Sequence, residues 1–254
     1  MNNIEVAILM NPAMRSEIEA MPVFAARLTQ HGHTIHNFDD LVDLYEKPCS
    51  KKLVKSLYTL PHPTLQKLSV INIAVIGVSR RFLAQITRHQ NEVKFVSASL
   101  QYSDYSNDGQ FAIPYGILKH GDREVAKYIE TCRRSLKAYS DGIQRGVDKD
   151  SLGYLMPQAL RNVLIISATP YQWKHMIRQR VCRRNTDETR IVMLIVWKGL
   201  AKFFPEMFSP ETTGPFCMRG ACEEGRMSCG DPISPVMTPA QILKTDYPLL
   251  FKED

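Results

Sequence analysis

The chain has 254 residues, 44% apolar and 23% charged, with 32 lysines and arginines against 26 acids and a net charge of +6. That length can bury a sizeable core and that composition is ordinary for a globular protein. The longest apolar run, Ile191 to Trp197, is far short of the roughly 20 residues that span a bilayer.

The basic balance (pI near 9.0) favours an anionic partner only weakly. No RNA-binding signature, zinc-finger spacing or basic tract with interleaved aromatics occurs, so nucleic acid is not the expected partner. The N-terminus "MNNIEVAILMNP" has neither a basic n-region nor a long h-region. The expectation is a soluble, cytoplasmic protein without membrane contact.

Along the chain, "VAILM" (Val6 to Met10) reads as a short strand stopped by Asn11-Pro12. Arg15 to Gln30 carries Ile18, Met21, Phe24, Ala25 and Leu28 at helical spacing. Helical pieces broken at Pro48 follow, and then the β-branched run Ser69 to Val78 reads as a strand. The segment "SRRFLAQITRHQ" (Ser79 to Gln90) reads as a helix with Gln85, Arg88 and His89 on one face, since positions i, i+3 and i+4 point the same way. Taken alone, such a trio is by default a solvated face.

Gly109 to Ile117, broken by Pro114, reads as a loop or edge segment. After it, "DREVAKYIETCRRSLKAYSDGIQ" is a long amphipathic helix with Asp122 as N-cap. Val163 to Ala168 is a second apolar strand. It runs into "TPYQWKHMIRQR", where Thr169 can cap and Pro170 suits the first turn. Asn185 and Glu188 have the spacing of a capping box, and Arg190 to Phe204 is apolar enough for a buried helix. These elements predict an α+β fold, with long helices packed around a small mixed sheet. The predicted organisation is one α+β domain over residues 1–214 and an irregular, cysteine-rich tail over 215–254.

In that tail, Cys217, Cys222 and Cys229 form C-x4-C-x6-C. Structural zinc wants four ligands, so three thiols predict a reduced loop and no metal. No Ser/His/Asp arrangement, glycine-rich phosphate loop or glycosidase carboxylate pair is present.

The order of the segments carries more. Arg88-His89-Gln90, then eight residues, then Ser99, resembles the Arg-His-Arg…Ser signature of the flavin-dependent thymidylate synthases. "HPT" (His62 to Thr64) resembles that family's His-x-Ser/Thr. "GVSR", Gln85 and "GQFAIP" fall at its intervals, and Met156-Pro157 resembles its Leu-Pro. "IRQRVCRRNTDETR" is similar to the family's "LRCCNRAQWEIR", and the tail resembles the C-terminus of some members. The resemblance spans nearly the whole chain in collinear order.

It implies a homotetramer with active sites at subunit interfaces. FAD is the implied cofactor, with NADPH and methylenetetrahydrofolate as co-substrates, and the implied reaction converts dUMP into dTMP. By position Arg180 inherits the catalytic role, a guanidinium assisting ionisation of the pyrimidine at N3. His62, Thr64, Arg88, His89, Gln90, Thr169, Tyr171 and His175 fall at cofactor positions. Gln85, Arg88, Ser97, Ser99, Leu100, Gln101, Gly153 and Arg180 fall at substrate positions. No cysteine is implied in the chemistry. The tetramer expectation also draws on "RIVMLIVWKGLAKFF", which needs a large buried surface.

Several positions depart from the family. The signature's second arginine is Gln90, and Gln101 and Gly153 stand where phosphate-binding arginines are expected. The flavin-contacting Asn-x-Arg is Thr169-Pro170-Tyr171, and Glu-His is Lys67-Leu68. Each lost charged hydrogen bond to phosphate costs about 1.5–3 kcal/mol, and Arg178, Arg183 and Arg184 are nearby candidates to compensate. Three readings stay open here: a thymidylate synthase, a methylase of another pyrimidine nucleotide, and a nucleotide-binding relative without turnover.

Overall fold

The computed structural model describes residues 4–106 and 110–251; Gly109, first residue of the expected edge segment, lies outside them. Four strands form one sheet: β1 (Glu5–Ile8), β2 (Ile71–Ser79), β3 (Val93–Ser97) and β4 (Arg161–Ala168). Eleven α-helices surround them among the described residues: α1 (Arg15–His31), α2 (Phe38–Glu46), α3 (Lys51–Thr59), α4 (Arg80–Ile86), α5 (Tyr115–Lys119), α6 (Asp122–Gln144), α7 (Lys149–Gly153), α8 (Pro170–Arg180), α9 (Asp187–Phe203), α10 (Pro205–Phe208) and α11 (Pro239–Asp246). The α+β class holds. No helix is long and apolar enough to cross a membrane among the described residues.

The sheet order is β1-β2-β4-β3, and every hydrogen-bonded pair is antiparallel. A mixed sheet was expected. β2 and β3 do run the same way, but β4 inserts between them and is antiparallel to both, so no parallel ladder forms. Ile71, Ile73 and Val75 on β2 and Leu164 and Ile166 on β4 alternate inward, as period 2 requires, and pack in the main core. Gly77, with φ of 86°, interrupts the β2–β4 register and shifts the alternation, so that Val78 and Ser79 are also buried. Ser79 then caps α4, its hydroxyl accepting from the Phe82 N–H at 3.0 Å.

Burial explains α9. Ile191 to Leu194, Val196, Trp197 and Leu200 are all buried within the single chain, so this helix is the centre of the core. Its apolar sequence therefore needs no second subunit. A smaller cluster of Tyr105, Leu136, Tyr139, Leu152 and Leu160 joins α6 and α7 to the rest.

Two predicted caps and one helix are corrected. α6 is capped by Gly121, at φ of 83°, and Asp122 is the first helical residue, where a carboxylate still favours the helix dipole. α9 is capped by Thr186, because Glu188 instead accepts from the Ser79 backbone N–H at 2.7 Å and from its hydroxyl. α4 stops at Ile86, so Arg88 and His89 do not share a helical face with Gln85. The chain turns there because the Thr87 hydroxyl and the His89 N–H bond back to Leu83 and Ile86 carbonyls.

The tail is not irregular throughout. Thr238 and Gln241 form a capping box that starts α11. Met218, Ile233, Ile242, Leu243 and Tyr247 pack in the same cluster as Trp197 and Ile71.

Candidate functional site

β4 runs into α8 through Thr169, whose hydroxyl accepts from the Gln172 N–H at 3.3 Å, with Pro170 in the first turn. Eleven residues later the helix delivers Arg180 to the turn that follows α4. There the Arg180 Nε donates to His89 Nε2 at 2.8 Å, Nη2 to the Gln85 carbonyl at 3.1 Å, and Nη1 to Asn185 Oδ1 at 3.4 Å. Three of the five guanidinium donors are thus occupied, leaving one N–H on each terminal nitrogen.

An imidazole nitrogen that accepts is unprotonated, so His89 is neutral with its proton on Nδ1. Its surroundings enforce this. Burial, then the Arg180 charge, then His175 push the His89 pKa down to about 4. The His175 ring stands edge-on to His89, 5.9 Å away, and is itself pushed down by burial and by Arg178 and Arg180. Burial and Arg88 lower Arg180 in turn. Gln85 is fixed by its side chain, with Oε1 accepting from Thr186 and Thr189 hydroxyls at 2.9 and 2.6 Å. In that orientation its amide N–H groups are what remain for a ligand.

The next turns of α8 face a cleft of about 490 Å³ lined by Tyr58, Tyr171, Lys174, His175, Arg178 and Arg219, among others. The Lys174 ammonium donates to the Tyr58 carbonyl at 3.0 Å and lies 4.8 Å from that ring's centroid. Arg178 sits 5.1 Å from the Phe216 centroid, and Arg219 donates to the Thr212 and Gly214 carbonyls. Among the described residues none of these three cations pairs with a carboxylate, and Glu211, which also lines the cleft, is bonded to Lys55. They disturb one another instead. Burial, then Arg219 and Arg178, push the Lys174 pKa down to about 7. Positive charge concentrated in a partly closed cleft favours an anion there.

A sequence model described as "Thymidylate synthase complementing protein" matches residues 13–206. The chain belongs to that family. It is 24% identical to a flavin-dependent thymidylate synthase of Geobacter sulfurreducens over 215 residues, covering 84% of this chain and 89% of that one. It is 29% identical to one of Clostridium tetani over 206 residues, covering 74% and 80%. The fold is similar to that of PolB from Streptomyces cacaoi, a UMP/dUMP methylase bound with 5-Br dUMP, with TM-score 0.61 and 15% identity over 81% of this chain and 93% of the other. It is also similar to Thymidylate Synthase X from Helicobacter pylori with FAD and dUMP, with TM-score 0.58 and 14% identity over 81% and 97%.

Of the positions carried over from the thymidylate synthase complementing family, Gln85, His89, His175 and Arg180 stand together, with Arg88 close enough to act on Arg180. His62 and Thr64 are exposed at the turn Pro63–Lys67, whose Pro63 lines the cationic cleft, as do Tyr171 and His175. Thr169 is buried and its hydroxyl is used by its own helix cap; Gln90 is exposed. Leu100 and Gly153 are neighbours, since a Cβ on Gly153 would stand 3.5 Å from that of Leu100. The Ser99 hydroxyl accepts from the Gln101 and Tyr102 N–H groups, which shapes the loop following Ser97. No hydrogen bond or ion pair joins Ser97, Ser99, Leu100, Gln101 or Gly153 to the Arg180 cluster among the described residues.

Lys174, Thr186, Thr189 and Arg219 escaped the sequence reading, and Asn185 was read only as a helix cap. The i, i+4 spacing of Lys174 and Arg178 was a usable signal, but nothing local marks Arg219. Arg183 is no spare phosphate ligand, because it is committed to Asp231 and Asp246. Arg178 is not a solvated bystander, because it lines the cleft.

Proposed function

We propose that the chain is a flavin-dependent methylase of a pyrimidine nucleotide, converting dUMP into dTMP. Methylenetetrahydrofolate would give its methylene carbon to C5 and NADPH the hydride, leaving tetrahydrofolate and NADP. The observation that carries this reading is the fixed Arg180 guanidinium, with two N–H groups still free beside the Gln85 amide. Such a pair can hold a uracil edge and stabilise the anion that forms when N3 loses its proton. A guanidinium stays charged at any working pH, so it does this without a proton transfer of its own.

The cationic cleft fits FAD, since a dinucleotide's diphosphate would neutralise Lys174, Arg178 and Arg219 beside the flavin positions Tyr171 and His175. When bound, flavin would supply the two-electron reducing power. The protein's part is to hold it, to keep His89 and His175 neutral, and to orient the nucleotide. For the nucleotide, Arg88 and the loop Ser97 to Gln101 would approach the phosphate. The exposed apolar residues Ile76, Val96, Val163 and Ile165 on one face of the sheet support assembly into the homotetramer that would bring that loop to a neighbouring Arg180.

The test is product formation. Purified protein with FAD, NADPH, methylenetetrahydrofolate and dUMP is expected to yield dTMP by mass spectrometry. Arg180→Lys is expected to lower kcat by about a hundredfold with flavin content unchanged. Flavin binding without any methylated product would leave a nucleotide-binding protein.

A second reading, a different uridine nucleotide as acceptor, is favoured by the uncharged Gln101 and Gly153. A kcat/KM for UMP above that for dUMP would select it.

A further inference from the structure

Cys217, Cys222 and Cys229 are one thiol short of a zinc site in the sequence, and the fold brings a further cysteine to the same cavity. Cys182, two residues beyond the end of α8, lines the same cavity as all three, a space of about 290 Å³. The remaining cysteines are elsewhere: Cys132 is buried on α6 and Cys49 is exposed near Glu19.

From these four thiols we propose a structural Zn²⁺ site that fastens the tail loop to the end of α8. This rests on neither the flavin nor the nucleotide reading.

Apart from the Arg183 contacts to Asp231, the loop around the cavity has little support. Residues 219–232 are mostly exposed, and their one regular element is the single turn Gly225–Met227. Met218 and Ile233 enter the core at either end, but nothing apolar holds the span between them. A bound metal is one way to fasten such a stretch. Gly220, Gly225 and Gly230 have φ of 153°, 52° and 73°, conformations that turn the chain sharply between and after the cysteines. The Ile233 N–H donates to the Cys217 sulfur at 3.4 Å, a backbone contact that also suits a thiolate ligand.

Without metal the Cys229 thiol donates to the Asp231 carbonyl at 3.4 Å. No three His, Cys, Asp or Glu side chains among the described residues converge on one metal-sized point in this conformation. Each cysteine has a single χ1 with three staggered wells, so metal binding would turn the sulfurs toward the shared cavity. Binding exchanges four S–H protons for one Zn²⁺, releases the protons to solvent, and changes no oxidation state. Tetrahedral sulfur coordination suits zinc, and C-x4-C-x6-C is wider than the closely spaced runs that hold iron–sulfur clusters. Because Arg219 lies between Cys217 and Cys222, the metal would also fix that cation at the cleft.

The experiment uses the full chain without a metal-binding tag. Elemental analysis is expected to give close to one zinc per chain, and Co²⁺ replacement to give the thiolate charge-transfer and d–d bands of a tetrahedral site. Cys182→Ser and Cys217→Ser are expected to lose more than half of the zinc, while Cys49→Ser and Cys132→Ser keep it. If the serine variants do not fold, the Co²⁺ spectrum of the unaltered chain decides. Four freely titrating thiols after refolding with excess zinc would overturn the proposal, as would disulfides or an iron–sulfur cluster in their place.

Discussion

Arg180 donates to His89 only while that imidazole is neutral, which makes the contact sensitive to acid. The folded pKa of about 4 lies below the ordinary 6.5, so the unfolded chain binds more protons between those values. Stability contributed by neutral His89 is therefore whole above about 6.5 and lost as pH falls toward 4. Urea midpoints across that range are expected to decline less steeply in His89→Gln; equal slopes would place the acid sensitivity elsewhere. At Gly153 the nearest atom to an added Cβ, on Leu100, is at ordinary contact distance, so the backbone there accepts a side chain. Gly153→Arg is expected to tighten dUMP binding about tenfold or more, the value of one charged hydrogen bond to phosphate. Unchanged affinity in a titration would remove Gly153 from the phosphate side.

At the scale of elements, α8 collects the charge of the site along its final turns. Lys174, with a pKa near 7, is only partly protonated in neutral solution, and an anion in the cleft favours its charged form. FAD binding near pH 8 is therefore expected to take up protons, read by calorimetry in buffers of different ionisation enthalpy. Lys174→Met abolishes that uptake if the assignment holds. α11 is tied differently, to α9 and to the turn that follows α8. Burial raises the Asp246 carboxyl, but hydrogen bonds from Arg183 and Arg190 outweigh it and hold the pKa below the usual range. The Asp246 and Arg190 side chains are only 13% and 5% exposed. Asp246→Asn leaves Arg190 uncompensated and is expected to cost about 3 kcal/mol in chemical denaturation.

For the whole molecule, the exposed apolar surface that matters lies on the sheet. Ile76, Val163, Ile165 and Val96 are exposed, and the register sets Ile76 against Val163 and Val96 against Ile165 on one face. A contiguous apolar patch of this kind marks an interface more often than a solvated surface. A second copy of the chain is the expected occupant, and Ile165→Asp is expected to reduce the proposed tetramer to smaller species by light scattering. A monomeric parent protein would remove both the interface and the composite site.

The α+β class, most strands and helices, and the family were legible in the sequence because they rest on local periodicity and on motif order along the chain. The same motif order singled out Arg180 and Gln85, and the fold sets the Arg180 guanidinium against the Gln85 carbonyl. What the sequence left undecided depended on which distant segments meet. Lys67 for the family's glutamate and Tyr171 for its arginine look like separate losses, yet the Lys67 ammonium lies 5.0 Å from the Tyr171 ring, so they are one contact. The spacing of Arg88 and His89 suggested a helical face, but the chain turns after Ile86 and buries His89 against Arg180. Arg219 joins Lys174, and Cys182 joins three tail cysteines, across gaps of 45 and 35 or more residues along the chain. Side-chain period is a property of neighbours in sequence, whereas charge clusters and ligand sets are properties of neighbours in space, and only packing decides those.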